Sequence, residues 1–338
     1  MAVQYRDELF FCHARASSVR RIWREPSGAL RVCQSGQHKP MSGIITAGSS
    51  IYTGDLVPAT TYRYRVCFFD EKYRLSSPGV CDIFSLTDPA YVVTTGAGKT
   101  AIDLLISDNA DLMYNTVGMV LFRAAQGTND YYAVTVRPLT RPDGEYVRFY
   151  NSGAFVTITD VSSEALLVTG TPMPLDGQND RPPIASVLGV HGNRLFCNDR
   201  TYGAVTARHE TPWVYNLTDT DSLTRLWMSN IDAPTQFNAA SDPDDQSLGA
   251  PINIGTDSGD PITALSSLGQ GLGVWTAGGF YLVSGSGPAE WAVARMNDGG
   301  CSNQHTMVAI DNRHYWLGQD GVYTMTEGFA PALLSLPV

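Results

Sequence analysis

The segment LGQGLGVWTAGGFYLVSG, Leu268 to Gly285, decides the fold class. Two short apolar runs, Leu272 to Thr276 and Phe280 to Ser284, flank Ala277-Gly278-Gly279. β-Branched and aromatic side chains pack well on a pleated surface, and a glycine-rich turn joins adjacent antiparallel strands, so the segment is predicted to be a hairpin. AIDNRHYWLGQDGVYTM, Ala309 to Met325, follows the same plan around Gly318-Gln319-Asp320-Gly321, and GVHGNRLFCND, Gly189 to Asp199, supplies a third hairpin. Trp275 and Trp316 stand 41 residues apart. Repeats of about 40 to 45 residues suit propeller blades, in which each unit packs its face on the next.

Outward from these hairpins the same texture continues. Period-two or short apolar runs bounded by Gly, Asn, Asp and Pro are predicted as strands at Leu9 to Cys12, Val19 to Trp23, Leu30 to Cys33, Tyr62 to Phe69, Val80 to Phe84, Ala101 to Ile106, Met119 to Arg123, Tyr131 to Val136, Phe155 to Thr159 and Arg194 to Cys197. Helix signals are confined to Ser162 to Leu167, with Ser162 as N-cap, and Ser222 to Ser229. The predicted class is all-β: a propeller of blade-like repeats with an inserted β-sandwich.

Three segments are expected. Residues 1–56 are short strands that complete the propeller, 57–171 are the sandwich, and 172–338 are blades entered through Pro172, Pro174, Pro182 and Pro183. In the middle segment, alternating Tyr62, Tyr64 and Val66 bury one face, and Gly127-Thr128-Asn129-Asp130 supplies turn chemistry.

Composition removes several function classes. Of 338 residues 17% are charged, the net charge is -10, and Gly 32 with Pro 19 disfavours a helical bundle. An acidic surface opposes general nucleic-acid binding. No run approaches the roughly 18 apolar residues of a membrane span, and Arg6, Asp7, Glu8, Arg15 and Arg20 interrupt any leader-like start. The acidity is uneven: residues 1–56 carry +3, which leaves -13 on the rest. The basic cluster Arg15, Arg20, Arg21 and Arg24 is the candidate partner contact. The six cysteines form no CxxC pair and are expected as buried free thiols.

No motif carries catalysis. TTGAGKT, Thr94 to Thr100, ends like a phosphate-binding loop, but Val93 replaces the first glycine and Ile102, Leu104 and Ile106 alternate as a strand where a helix is needed. Asp242, Asp244, Asp245, Asp257 and Asp260 are oxygen ligands suited to calcium but lack EF-hand spacing, and a solvated loop or a subunit contact is the simpler reading. His13, His38, His191, His209, His305 and His314 show no zinc spacing, and no GxSxG occurs. SGSGPAEW, Ser284 to Trp291, has the outline of a sialidase-type Asp box with Ser286 in place of the acid, and nothing in the sequence pairs Glu290. No cofactor is expected. Because propellers also host glycosidases, a carbohydrate-binding or glycosidase propeller is the alternative reading.

Two resemblances sharpen these expectations. TYRYRVCFFDEKYRLSSPG (Thr61 to Gly79), MVLFRAAQGTNDYYAVTV (Met119 to Val136) and Thr157 to Asp160 resemble fibronectin type III or immunoglobulin-like sandwiches. Gly259 to Leu265, Leu272 to Val283, Gly300 to Thr306 and Tyr315 to Tyr323, in that order, resemble the β-propeller portion of phage tail hub or nozzle proteins. That resemblance implies a non-enzymatic virion protein of the tail, assembled in the host cytoplasm. Its expected partners are further copies of itself in a hexameric ring, portal and adaptor proteins, and tail fibre or spike proteins. DNA would leave through the channel without specific binding, which an acidic lumen favours.

Overall fold

The computed structural model describes residues 1–12, 19–24, 27–36, 45–79, 90–107, 116–135, 144–148, 155–174, 179, 182–199, 223–237, 245, 247–255, 259–269, 271–311, 313–326 and 330–335. Of these, 50% lie in strands and 4% in helix, so the chain is all-β. The chain divides into two compact units: Met1–Gly36 with Arg181–Val338, and Gln37–Asp180. The first boundary falls earlier than the sequence texture suggested. Ile45–Ser49, grouped above with the N-terminal strands, pairs instead with Ile102–Ser107 inside the middle unit.

Among the described residues, the first unit contains four antiparallel sheets. β1 (Ala2–Tyr5), β2 (Glu8–Phe11), β3 (Arg20–Arg24) and β4 (Leu30–Gln34) form a meander in chain order. In the middle unit follow β5 (Ile45–Ser49), β6 (Thr61–Phe69), β7 (Tyr91–Thr94), β8 (Ile102–Ser107), β9 (Gly118–Ala124), β10 (Tyr131–Ala133), β11 (Tyr146–Arg148), β12 (Phe155–Asp160) and the short helix α1 (Glu164–Leu167). The first unit then resumes. β13 (Leu188–His191), β14 (Arg194–Asn198), β15 (Arg225–Asn230) and β16 (Ala233–Phe237), with β17 (Ile252–Asn253) on β15, make its second sheet. β18 (Ile262–Leu268), β19 (Gly271–Thr276), β20 (Phe280–Ser284) and β21 (Ala292–Asn297) make the third. β22 (Val308–Ile310), β23 (Arg313–Leu317), β24 (Val322–Met325) and β25 (Ala332–Leu333) make the fourth.

These sheets stack in series, and the side-chain period of two explains how. On β14, Leu195 and Cys197 join Trp227 of β15 against Tyr5, Phe10 and Cys12 of the first sheet. Phe196, Leu226 and Met228 point the other way and share a core with Leu265, Leu272, Val274 and Tyr281 of the third. From the far side of the third sheet, Ala264, Trp275 and Phe280 meet Trp316 and Met325 of the fourth. Every residue of β14 and β19 is therefore buried. The first strands β1, β13 and β18 lie side by side. Gly189 permits this close approach, since a Cβ there would stand 2.9 Å from that of Leu265.

The expected helix at Ser222 to Ser229 is corrected: Arg225–Asn230 is strand β15. Leu226, Trp227 and Met228 are consecutive and all buried, because neighbouring sheets cover both faces of the strand, and such a strand loses its alternation. α1 lies within the other expected helix, but its N-cap is Ser163, whose Oγ accepts from the Leu166 backbone N–H at 3.2 Å. The Val80 to Phe84 strand falls outside the described residues.

Among the described residues of the middle unit, two antiparallel sheets share one core. One runs β10-β9-β6-β7, with β11 also on β9, and the other β12-β8-β5. Tyr64, Val66, Phe68 and Leu121 of the first pack on Ile45, Leu104, Ile106 and Ile158 of the second. An ion pair crosses this core: Arg123 Nη1 donates to Asp160 Oδ2 at 2.6 Å with both side chains fully buried. The Tyr64 hydroxyl donates to the same oxygen at 2.7 Å, and Arg123 Nη2 donates to the Ser162 carbonyl at 2.9 Å. Burial, and then the Asp160 charge, push the Tyr64 pKa well up, so the phenol stays protonated as a donor.

Candidate functional site

Among the described residues, the stacking leaves two sheet faces open. In the first sheet, cross-strand register places Phe10, Arg21 and Cys33 on one face and the row Leu9, Ile22 and Val32 on the other. The first face is buried; on the second, Leu9 is 37%, Leu30 65% and Val32 58% exposed. In the fourth sheet, His314, Trp316 and Met325 point into the core, while Val308, Ile310, Leu317, Val322 and Leu334 are exposed. Register puts Val308 beside Tyr315 and Leu317 beside Val322 on that outer side, and the Leu334 N–H donates to the Val322 carbonyl.

The candidate partner-contact arginines separate on this geometry. Arg20 and Arg24 share the open face of β3, half-buried and exposed respectively. Arg21 faces inward and is 2% exposed; its Nη1 lies 3.4 Å from Glu8 Oε1 and its guanidinium 4.6 Å from the Trp23 ring centroid. Arg21 therefore holds the sheet together and offers a partner nothing. Arg15 lies outside the described residues.

A cavity of about 420 Å³ opens beside the first strands of the first unit, lined among others by Asn198, Asp199, Thr263, Asn303, Gln304 and His305. Most of its polar groups are engaged in joining sheets. Asn198 Oδ1 accepts from the Ser186 and Val187 N–H groups at 2.9 and 3.0 Å, and its Nδ2 donates to the Ile262 carbonyl at 3.3 Å. Gln304 Nε2 donates to the Leu265 carbonyl at 3.1 Å, and Thr263 Oγ1 donates to the Cys301 carbonyl at 2.6 Å. Asp199 is buried and accepts from Trp227 Nε1 at 3.1 Å. The arrangement fixes sheets in register and presents a few polar atoms to a small polar guest.

Two histidines perform similar joining work. Consecutive serines of β18 point to opposite faces: Ser267 hydrogen-bonds His191 of β13 at 2.9 Å, and Ser266 hydrogen-bonds His314 of β23 at 2.8 Å. Burial lowers the pKa of both imidazoles and keeps them neutral. His305 is exposed.

The acidic segment is described only at Asp245 and Asp260; Asp242, Asp244 and Asp257 lie outside the described residues. Asp245 accepts from Ser247 Oγ and N at 2.6 and 2.9 Å, which holds its carboxyl below the usual range, and so acts as a local turn cap. Among the described residues no three His, Cys, Asp or Glu side chains gather as a metal site. Residues Gly96 to Lys99 form a turn leading into strand β8, not a helix N-terminus. Within the Ser284 to Trp291 segment, residues 285–291 connect β20 to β21; there Ser286 Oγ donates to Glu290 and Trp291 packs edge-on to Phe196 at 6.0 Å. The described cysteines, Cys12, Cys33, Cys67, Cys197 and Cys301, are buried.

Sequence reasoning missed the Arg123, Asp160 and Tyr64 cluster and the Asp199 cavity, since both join residues far apart in the chain. No protein-family model matches the chain, and a search of curated proteins finds no match.

Proposed function

We propose that this protein is a non-enzymatic structural component of a phage tail, of the hub or nozzle type, in which copies assemble as a ring that DNA leaves through. In this reading the stacked sheets are blades of a β-propeller, and the middle unit is an inserted fibronectin-like sandwich. The ring would link portal and adaptor proteins to tail fibres or spikes. The observation that supports it is the serial stacking of sheets, with the first strands of three of them side by side, in a chain whose described polar groups are largely engaged in holding sheets together. Negative-stain microscopy of the protein with portal and adaptor proteins tests the reading: rings coaxial with the portal are expected, and a chain that stays monomeric beside them refutes it.

The cavity at Asp199 favours a second reading, a carbohydrate-binding or glycosidase propeller. Release of reducing sugar from host glycans, lost in Asp199→Asn, would favour it over the tail reading.

A further inference from the structure

We draw no further inference here: the strongest candidate, the polar cavity beside the first strands of the first unit, lined among others by Asp199 and His305, belongs to the site already described, and most of its polar groups are engaged in joining sheets.

Discussion

The substitution Asp160→Asn isolates the ion pair at the centre of the middle unit. Asp160 Oδ2 accepts from Arg123 and Tyr64, and Oδ1 accepts from the Ser162 N–H at 2.9 Å. An asparagine keeps one acceptor for the Ser162 N–H, but its amide presents donors where a guanidinium and a phenol also donate. Tyr64 can rotate its hydroxyl to accept; Arg123 has no acceptor to offer. Its remaining partners are the Ser162 carbonyl and Glu164, 3.5 Å away with a side chain 39% exposed. Burial alone would lower the Arg123 pKa and the Asp160 charge reverses that, so without the carboxylate the buried cation is undercompensated. Removing one partner of a buried pair costs about 3 to 5 kcal/mol. With a urea m value of about 2 kcal/mol/M, the midpoint should fall by roughly 2 M. The composition supplies the assay: the sequence of the middle unit, residues 37–180, contains none of the six tryptophans, Trp23, Trp213, Trp227, Trp275, Trp291 and Trp316. Far-ultraviolet circular dichroism reports both units and tryptophan fluorescence only the first. A lower-midpoint phase is expected in dichroism with no counterpart in fluorescence. A midpoint change under about 0.5 M, well below the 3 to 5 kcal/mol range, refutes the argument. The double change Arg123→Met with Asp160→Leu removes both charges and should recover most of the loss.

Three further outcomes are expected. Trp316→Ala removes a side chain that is 1% exposed, stacks on Tyr323 and donates to the Gly300 carbonyl at 3.1 Å, and should lower the first unit's stability by about 3 to 5 kcal/mol in fluorescence-monitored urea unfolding. Gly118→Ala places a Cβ 2.2 Å from the Val147 carbonyl oxygen, so hydrogen exchange of β9 and β11 should accelerate, with a loss of at least about 1 to 3 kcal/mol. The imidazoles His191 and His314 have pKa values lowered by burial, so the unfolded chain takes up protons first on acidification. Their contribution is intact above about pH 6.5 and declines as pH falls through the folded values; replacing both with asparagine should flatten that part of the first unit's melting-temperature profile between pH 7.5 and 5.

Local order was legible wherever a strand is covered on one face or a turn is fixed by glycine. The Leu268 to Gly285 hairpin forms as its residues indicate, with Trp275 opposite Phe280, and β3 alternates as RRIWR suggests. Arg225–Asn230 defeated the same reasoning because its neighbours bury both faces, and a short fully apolar run has no periodicity to separate strand from helix. Residues 45–49 were misplaced for a different reason: their partners Ile102–Ser107 lie more than 50 positions away, and pairing at that distance leaves no local trace. The same holds for Asp160 and Arg123, 37 residues apart, whose meeting is a property of two sheets facing each other.

The contrast between interior and end sheets carries the functional argument. A sheet with a neighbour on each side can be apolar at consecutive positions, as in LFC of β14 and LWM of β15. A sheet at the end of a stack that ends in solvent gains nothing from apolar residues on its outer side, where polar side chains serve better. Here the outer sides carry Leu9, Ile22, Leu30 and Val32 at one end and Val308, Ile310, Leu317 and Val322 at the other, on strands whose register places them together. Contiguous exposed apolar patches of that kind mark surfaces that are covered when the protein is at work. Substituting the outer positions with Thr, Lys and Gln, which preserve strand propensity or solubility, should therefore leave the fold and its melting temperature intact, because those side chains contribute nothing to the cores between the sheets.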